Sequence, residues 1–362
     1  MKKTSIAILT ILIICTMTAC QKAEDKVTIK EDGKTITIID DTKQEESKTN
    51  ISVEKIDQYE KVNITDWLDE DTVVVSKENE LMDKMSLAEL SEHYPRSLYR
   101  FYLITKEYEL VKEQRNVFLE GAVLSKDKNH LLYYDYSLGD PVFHVMNMET
   151  MNEFMIIGEP IGGAISAKWA DNETVIGAAY SGGAYLAGST GEITLVDGLK
   201  EEALYLIEKI NDNIYYNTQY DSTLMMFNIA TKEKVSLNLE QVYNVQPSPD
   251  RKQMLVLQVN GNKSTMLVYD LESGEKITIA EGTELNGVSW SPDQRLIAYN
   301  LKEDVNNSTA SNLYVYDMLT GESTKIVVDI ENASTSWSPS GDKLAYSEYD
   351  GTQHNSSVIY LK

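Results

Sequence analysis

The side chains most able to do covalent or acid–base chemistry are few and scattered. The 362-residue chain has two cysteines and four histidines. His93, His130, His144 and His354 share no ligand spacing such as His-x-x-x-His, so no zinc or redox-metal motif is present. A serine nucleophile elbow reads Gly-x-Ser-x-Gly. The nearest stretch, Ala179-Tyr180-Ser181-Gly182-Gly183, lacks the first glycine. There is no phosphate-cradling Gly-x-x-x-x-Gly-Lys-Ser/Thr loop and no dinucleotide fingerprint after a strand. Carboxylates are abundant, with 57 Asp and Glu, and two of them across a sugar linkage are enough for glycoside hydrolysis. Nine (Asp69, Glu70, Asp71, Asp127, Asp171, Asp212, Asp250, Asp293 and Asp342) recur at turn positions. Aspartate there bonds its own backbone and tolerates tight φ, which accounts for the recurrence without catalysis. Weak calcium binding is the functional alternative, and no Asp-x-Asp-x-Asp-Gly loop supports it.

The net charge of −24 repels nucleic acid and anionic surfaces and favours solubility. The N-terminus is of another kind. Lys2 and Lys3 precede an apolar run from Ile6 to Cys15, and Met17-Thr18-Ala19-Cys20 follows. A basic start, a short apolar core and small residues describe an export signal. The core is well short of the roughly 20 residues that span a bilayer as a helix. Small residues directly before a cysteine resemble the lipobox of bacterial lipoproteins, with Met17 where that family usually has Leu. The resemblance implies cleavage before Cys20, lipidation of its thiol, and a mature protein held on the extracytoplasmic side of a bacterial cell membrane. Cys15 would leave with the signal. With no thiol left, the mature chain must rely on its core rather than on disulfides.

These features divide the chain into a signal peptide (1–19), a lipidated tether (20–50) and a folded domain (51–362). In the tether, Val27–Ile39 alternates on both sides of Asp32-Gly33, the pattern of a hairpin whose turn needs positive φ. Residues 40–50 are polar and read as a spacer.

The folded domain is organised by a repeat. Ser289-Trp290-Ser-Pro-Asp-Gln-Arg-Leu-Ile-Ala-Tyr299 has a near copy at Ser336–Tyr346. Weaker copies align on positions 67, 124, 169, 210 and 246, and all four tryptophans (Trp67, Trp169, Trp290 and Trp337) fall on the aligned position. That coincidence predicts one packing slot between neighbouring units; the functional alternative is a row of exposed rings that stack on sugars. Further alternating runs and Gly-containing turns follow each copy, as in Asn312–Asp317 and Thr324–Asp329. Four strands per unit of about 40–45 residues is the arithmetic of a propeller blade. The fold expected is all-β: a β-propeller of four-stranded blades, seven in number, with six as the alternative.

Three places depart from the repeat. Ser76–Leu98 is an insertion in which Ser86-Leu-Ala-Glu89 fits a capping box and predicts a helix. The third unit is rich in glycine (Ile161–Ser166, Ser181–Gly191), consistent with tight packing or with a groove near Tyr180 and Tyr185. Glu303–Ser311 reads as a polar loop. The last unit is one strand short, so an N-terminal strand, Ile51–Ile56 or part of Val27–Ile39, is expected to complete it and remove its open edge.

Trp-Ser-Pro-Asp-x-x-x-Leu/Ile-Ala-Tyr, clear at Trp290–Tyr299 and Trp337–Tyr346, resembles the blades of TolB-like and WD40-like propellers. In that superfamily the Pro-Asp-Gly turn joins the two inner strands and carries no chemistry. The resemblance implies fold, not function, and no hydrolase domain is expected after the last unit. The functional expectation is a membrane-anchored, non-enzymatic binding or scaffolding propeller that needs no cofactor or metal and acts as a monomer. Its expected partner is an envelope or cell-surface protein or glycan, and not nucleic acid. The alternative is an envelope glycoside hydrolase or lyase with carboxylates at the channel mouth. The excess of tyrosine, 22 against five phenylalanines, suits a recognition face. No ligand-binding residue is assigned from sequence; Cys20 alone has a role.

Overall fold

The computed structural model describes residues 51–305 and 308–362 and the two strands Lys26–Glu31 and Lys34–Ile39. Contacts divide the chain into Met1–Thr49 and Asn50–Lys362. In the first part the two strands pair antiparallel from Lys26↔Ile39 to Glu31↔Lys34, the hairpin expected around Asp32-Gly33. Cys15, Cys20 and the spacer 40–50 lie outside the described residues.

The second part is a succession of four-stranded antiparallel sheets. Five stand alone, and an eight-stranded sheet contains two more units, joined only by the single parallel pair Arg96↔Phe118. Among the described residues this gives seven four-strand units, called units 1 to 7 in chain order from Asn63. The innermost strands end at Trp67, Leu124, Trp169, Ile210, Pro247, Trp290 and Trp337. The aligned position is therefore the foot of the innermost strand, or in unit 5 the residue just before it.

The turn that follows explains the Ser-Pro-Asp signature. Ser125, Ser248 and Ser291 each donate a side-chain hydrogen bond to the aspartate two residues on, Asp127, Asp250 and Asp293 (2.7, 2.8 and 2.5 Å). Each serine Oγ also accepts the N–H of the residue five on. The next residue turns left-handed: Lys128, Arg251, Gln294 and, in unit 7, Gly341, with φ of 63, 60, 66 and 80°. The aspartates also cap N–H groups two residues on. Their recurrence is turn chemistry.

The tryptophans fill the predicted slot. Trp67 Nε1 donates to Ser336 O of unit 7 (3.1 Å), Trp169 Nε1 to Val123 O of unit 2 (2.8 Å) and Trp337 Nε1 to Ser289 O of unit 6 (3.3 Å). The acceptor is always the residue just before the aligned position in the preceding unit. Each indole thus packs its apolar body between two sheets and satisfies its one polar atom on the neighbour. Trp290 sits in the same slot, but its buried Nε1 has no hydrogen-bond partner among the described residues.

Unit 7 is completed by Val53–Tyr59, which pairs antiparallel with His354–Leu361 on its outer side. The expected closing strand is present, shifted toward the C-terminal end of the predicted segment. It is largely exposed, so it holds mainly through the ladder and through Tyr59, whose ring meets Phe101 edge-on at 5.1 Å.

Two expectations need correction. The insertion contains no α-helix, only a 3₁₀ turn at Ala88–Leu90. Ser86 does not cap it: its N–H goes to Asn116 Oδ1, and the extended residue Leu87 stands at the N-cap. Met85 N bonds His93 O and Asn79 N bonds Pro95 O, so the segment is closed into a loop too short to recover the cost of helix nucleation. Glu303–Ser311 is not a loop either. Leu296–Val305 and Ser308–Asp317 pair as far as Val305↔Ser308. The residues Glu303-Asp-Val-Asn-Asn-Ser-Thr-Ala-Ser311 are mostly polar and show no apolar alternation to read.

The indole bonds make a paired prediction. Trp337→Phe leaves Ser289 O without its donor, whereas Trp290→Phe removes no hydrogen bond. Both lose similar ring volume, so Trp337→Phe should destabilise by about 1 kcal/mol more in urea unfolding. Equal losses would show that the bond contributes nothing.

Candidate functional site

The inner strands run from an upper end, where the insertion lies, to the turn end with the Ser-Pro-Asp turns. The turn end is laced together across unit boundaries. Ser340 donates through N and Oγ to Glu70, Lys343 Nζ reaches Glu70 O and Asp71, and Asp127 N bonds Asn172 Oδ1. Lys126 Nζ lies 3.5 Å from Pro249 O, linking units 2 and 5. Glu70, Asp71, Asp127, Asp250 and Asp293 are thus engaged by the fold.

The upper end holds a cavity of about 900 Å³. It lies at the seam of units 7, 1 and 2, and units 3 to 6 contribute nothing to its lining. Glu60–Val62 enter from the segment after the closing strand. The insertion supplies Lys77, Glu78, Glu80, Leu90 and His93. Unit 2 supplies Phe118, Glu120 and Tyr136, and unit 7 the stretch from Tyr349 to His354. The site therefore forms where the first unit breaks the repeat.

Its floor is a buried ion pair. Arg96 Nε stands 2.5 Å from Glu120 Oε1, with the two side chains 10% and 5% exposed. The arginine is fixed by Ser76, through Nε to Oγ (3.1 Å) and Nη2 to O (2.7 Å), and Glu120 Oε2 accepts from Asn63 Nδ2 (2.9 Å). Arg96 Nε thus faces both Ser76 Oγ and the nearer Glu120 Oε1. Apolar residues could fill such a place at no loss of stability, so the fold alone does not require the pair.

Aromatic rings form the walls. Phe118 and Tyr136 are 5.5 Å apart, His93 meets Phe118 edge-on at 6.2 Å, and Tyr349 and His354 are 5.0 Å apart. Lys77 Nζ lies 4.8 Å from the Tyr108 ring centre, where the cavity reaches down the seam. His93 Nδ1 is 3.2 Å from Glu78 Oε1. Burial pushes the His354 imidazole below its ordinary value of 6.5; Glu120 acts against that shift and Arg96 adds to it. Burial, reinforced by Glu120, raises the Tyr136 phenol.

Two of the four histidines, His93 and His354, thus meet in one cavity although nothing in their spacing announces it. His144 pairs instead with Asp135 (2.5 Å) inside unit 2, and His130 packs beside Trp169. Ser181 sits in a tight turn between the strands Thr174–Ala178 and Ala184–Gly188, not at a strand-to-helix elbow. The glycines of unit 3 serve packing: a Cβ on Gly177 would meet Ser166 O, and Tyr185 is fully buried with its hydroxyl donating to Ser166 O (2.9 Å). Tyr180, Tyr205 and Tyr220 are exposed at the upper end of units 3 and 4, away from the cavity.

Comparison with known proteins reaches the same architecture. The family model of eukaryotic translation initiation factor eIF2A matches residues 201–345. An oligogalacturonate lyase in complex with manganese is 13% identical with a TM-score of 0.58, over 85% of this chain and 98% of that one. The β-propeller domain of Swd1 from Myceliophteria thermophila is 11% identical, TM-score 0.58, over 86% and 100%. The chain has a β-propeller fold. TolB from Acinetobacter baumannii itself aligns at 12% identity with a TM-score of 0.48, over 81% of this propeller and 65% of TolB, so the chain spans about two thirds of TolB. No curated protein matches the sequence. At these identities the likeness concerns the fold alone. Among the described residues no three His, Cys, Asp or Glu side chains stand together as metal ligands.

The histidine offers a readout of the floor. Because its folded pKa is depressed, the unfolded chain binds more protons below about pH 6.5, and His354 makes stability fall as pH drops through that window. His354→Gln should flatten this part of the stability profile. In NMR titration, Glu120→Gln should lower the His354 pKa further; an unchanged or higher value would contradict the geometry.

Proposed function

We propose that the protein is a lipid-anchored, extracytoplasmic binding propeller and that the seam cavity is its ligand site, open to an envelope or cell-surface protein or glycan. The observation that carries this reading is the cavity itself. Its volume lies within the roughly 300–1,000 Å³ of small-ligand sites. It combines apolar rings with a few fixed polar groups, the usual makeup of such sites. It is built by the one insertion the repeat does not need. The export signal and Cys20 support placement at the membrane, and the tether 20–50 would hold the propeller above it. The charge of −24 supports a partner other than nucleic acid.

A photo-crosslinking residue at Glu80, exposed on the cavity rim, should capture a discrete envelope component on intact cells. The same residue at Tyr220, exposed but outside the lining, should not. Equal capture from both positions would overturn the assignment of the site. Cys20→Ser should release the protein to the medium, and retention on the membrane would overturn the anchoring.

A second reading, an envelope carbohydrate-active enzyme, draws on the His93–Glu78 contact in the same cavity and on the lyase fold neighbour. Its proton-transfer group would be that pair, since Glu120 is engaged by Arg96 and Asn63. Purified protein that cleaves envelope glycans, with the activity lost in Glu78→Gln, would establish it.

A further inference from the structure

We infer that the ligand of the seam cavity is a short, uncharged oligosaccharide segment. This rests on the reading of the cavity as a binding site and adds the chemical class of what it binds.

The charges of the lining nearly cancel. Glu60, Glu78, Glu80 and Glu120 face Lys61, Lys77 and Arg96. Two of the three cations are already engaged, Arg96 by Glu120 and Lys77 by the Tyr108 ring. An anionic ligand meets four carboxylates and the field of a protein with net charge −24, a repulsive combination. A cationic ligand is drawn by the same field but finds the floor carboxylate, Glu120, already paired with Arg96. A neutral ligand needs no countercharge.

The polar groups at the floor ask for hydroxyls. Glu120 is nine-tenths buried, with Oε1 facing Arg96 Nε at 2.5 Å and Oε2 accepting from Asn63 Nδ2, and a carboxylate keeps lone pairs for further donors. Beside it stands Arg96, which can only donate. A sugar hydroxyl donates and accepts at once, so adjacent hydroxyls satisfy both groups where a simple donor or a simple acceptor satisfies one. The imidazole of His354, biased toward its neutral form by burial, adds one donor and one acceptor at the wall.

The walls suit the other half of a sugar. A pyranose ring presents C–H faces that pack on aromatic planes, and Phe118, Tyr136 and Tyr349 supply such planes around the floor. Extended peptides are commonly bound by adding a strand to an open edge. Here the strand residues of the lining are already laddered, Glu78 with Arg96, Phe118 with Tyr136 and Tyr349 with His354. Side chains, not a strand edge, are left to make the contacts.

The test is calorimetric titration of the full-length chain in a sugar-free detergent. The probes are tetrasaccharides of glucose, mannose and N-acetylglucosamine, tetragalacturonate, and acidic, basic and neutral hexapeptides. At least one neutral tetrasaccharide should bind with an affinity indifferent to salt. Tyr349 is exposed, so Tyr349→Ala should weaken that binding about tenfold without unfolding the protein, while Tyr349→Phe keeps the ring and the affinity. Binding of tetragalacturonate or of peptides alone would overturn the ligand class and leave the cavity as a site. Neutral sugar binding untouched by Tyr349→Ala would overturn the placement. Absence of binding by every neutral sugar would overturn the inference, whatever the crosslink at Glu80 captures.

Discussion

A closed ring of sheets depends on the contact between its first and last members, and here that contact is a dense polar and apolar seam. Trp67 of unit 1 donates to Ser336 of unit 7. Ile64 N bonds Ser356 Oγ, Ser347 Oγ bonds Ile64 O, and Ser356 Oγ bonds Val62 O, all buried. Val62, Ile64, Trp67, Val73 and Phe101 pack with Ala345 and Val358 in one core cluster. At the foot of the seam Lys343 reaches Glu70 and Asp71. Without this contact the apolar faces that the first and last sheets turn to each other would meet water.

The cavity is a consequence of the same contact. Its walls come from both sides of the seam, and Lys61 N bonds Asn355 Oδ1 across it (3.1 Å). The segment Glu60–Val62 is both the continuation of the closing strand and part of the lining. Closure of the ring and formation of the site are therefore one event. The buried Arg96–Glu120 pair belongs to the same region: Arg96 opens the third strand of unit 1, and its partner lies on the innermost strand of unit 2.

Most of the architecture could be read from the sequence because each unit solves the same packing problem with the same residues. The indole slot recurs, the serine–aspartate turn recurs, and a missing strand shows as a shortfall in an otherwise regular count. Where regularity ended, so did legibility. Ser86 and Glu89 have the spacing of a capping box, yet tertiary bonds at Met85 and Asn79 close the insertion before a helix can start. Glu303–Ser311 hides its strands because its mostly polar residues carry no apolar alternation. The cavity was announced only as an interruption of the repeat. Arg96, Glu120, Tyr136, Tyr349 and His354 form no motif along the chain and meet through ring closure alone. One local signal was available: Phe118-Leu-Glu120-Gly-Ala-Val-Leu124 places a carboxylate in an otherwise apolar inner strand, where burial demands a partner.

Hydrogen–deuterium exchange of the protein with and without an extract of cell-envelope components tests most directly whether function resides at the seam of units 7, 1 and 2, as proposed. Slowed exchange is expected only at Glu60–Val62, the insertion from Lys77 to His93 and the stretch from Tyr349 to His354. Slowing centred instead on the exposed Tyr180 and Tyr220 loops, or on the turn end, with the seam unchanged, would contradict it.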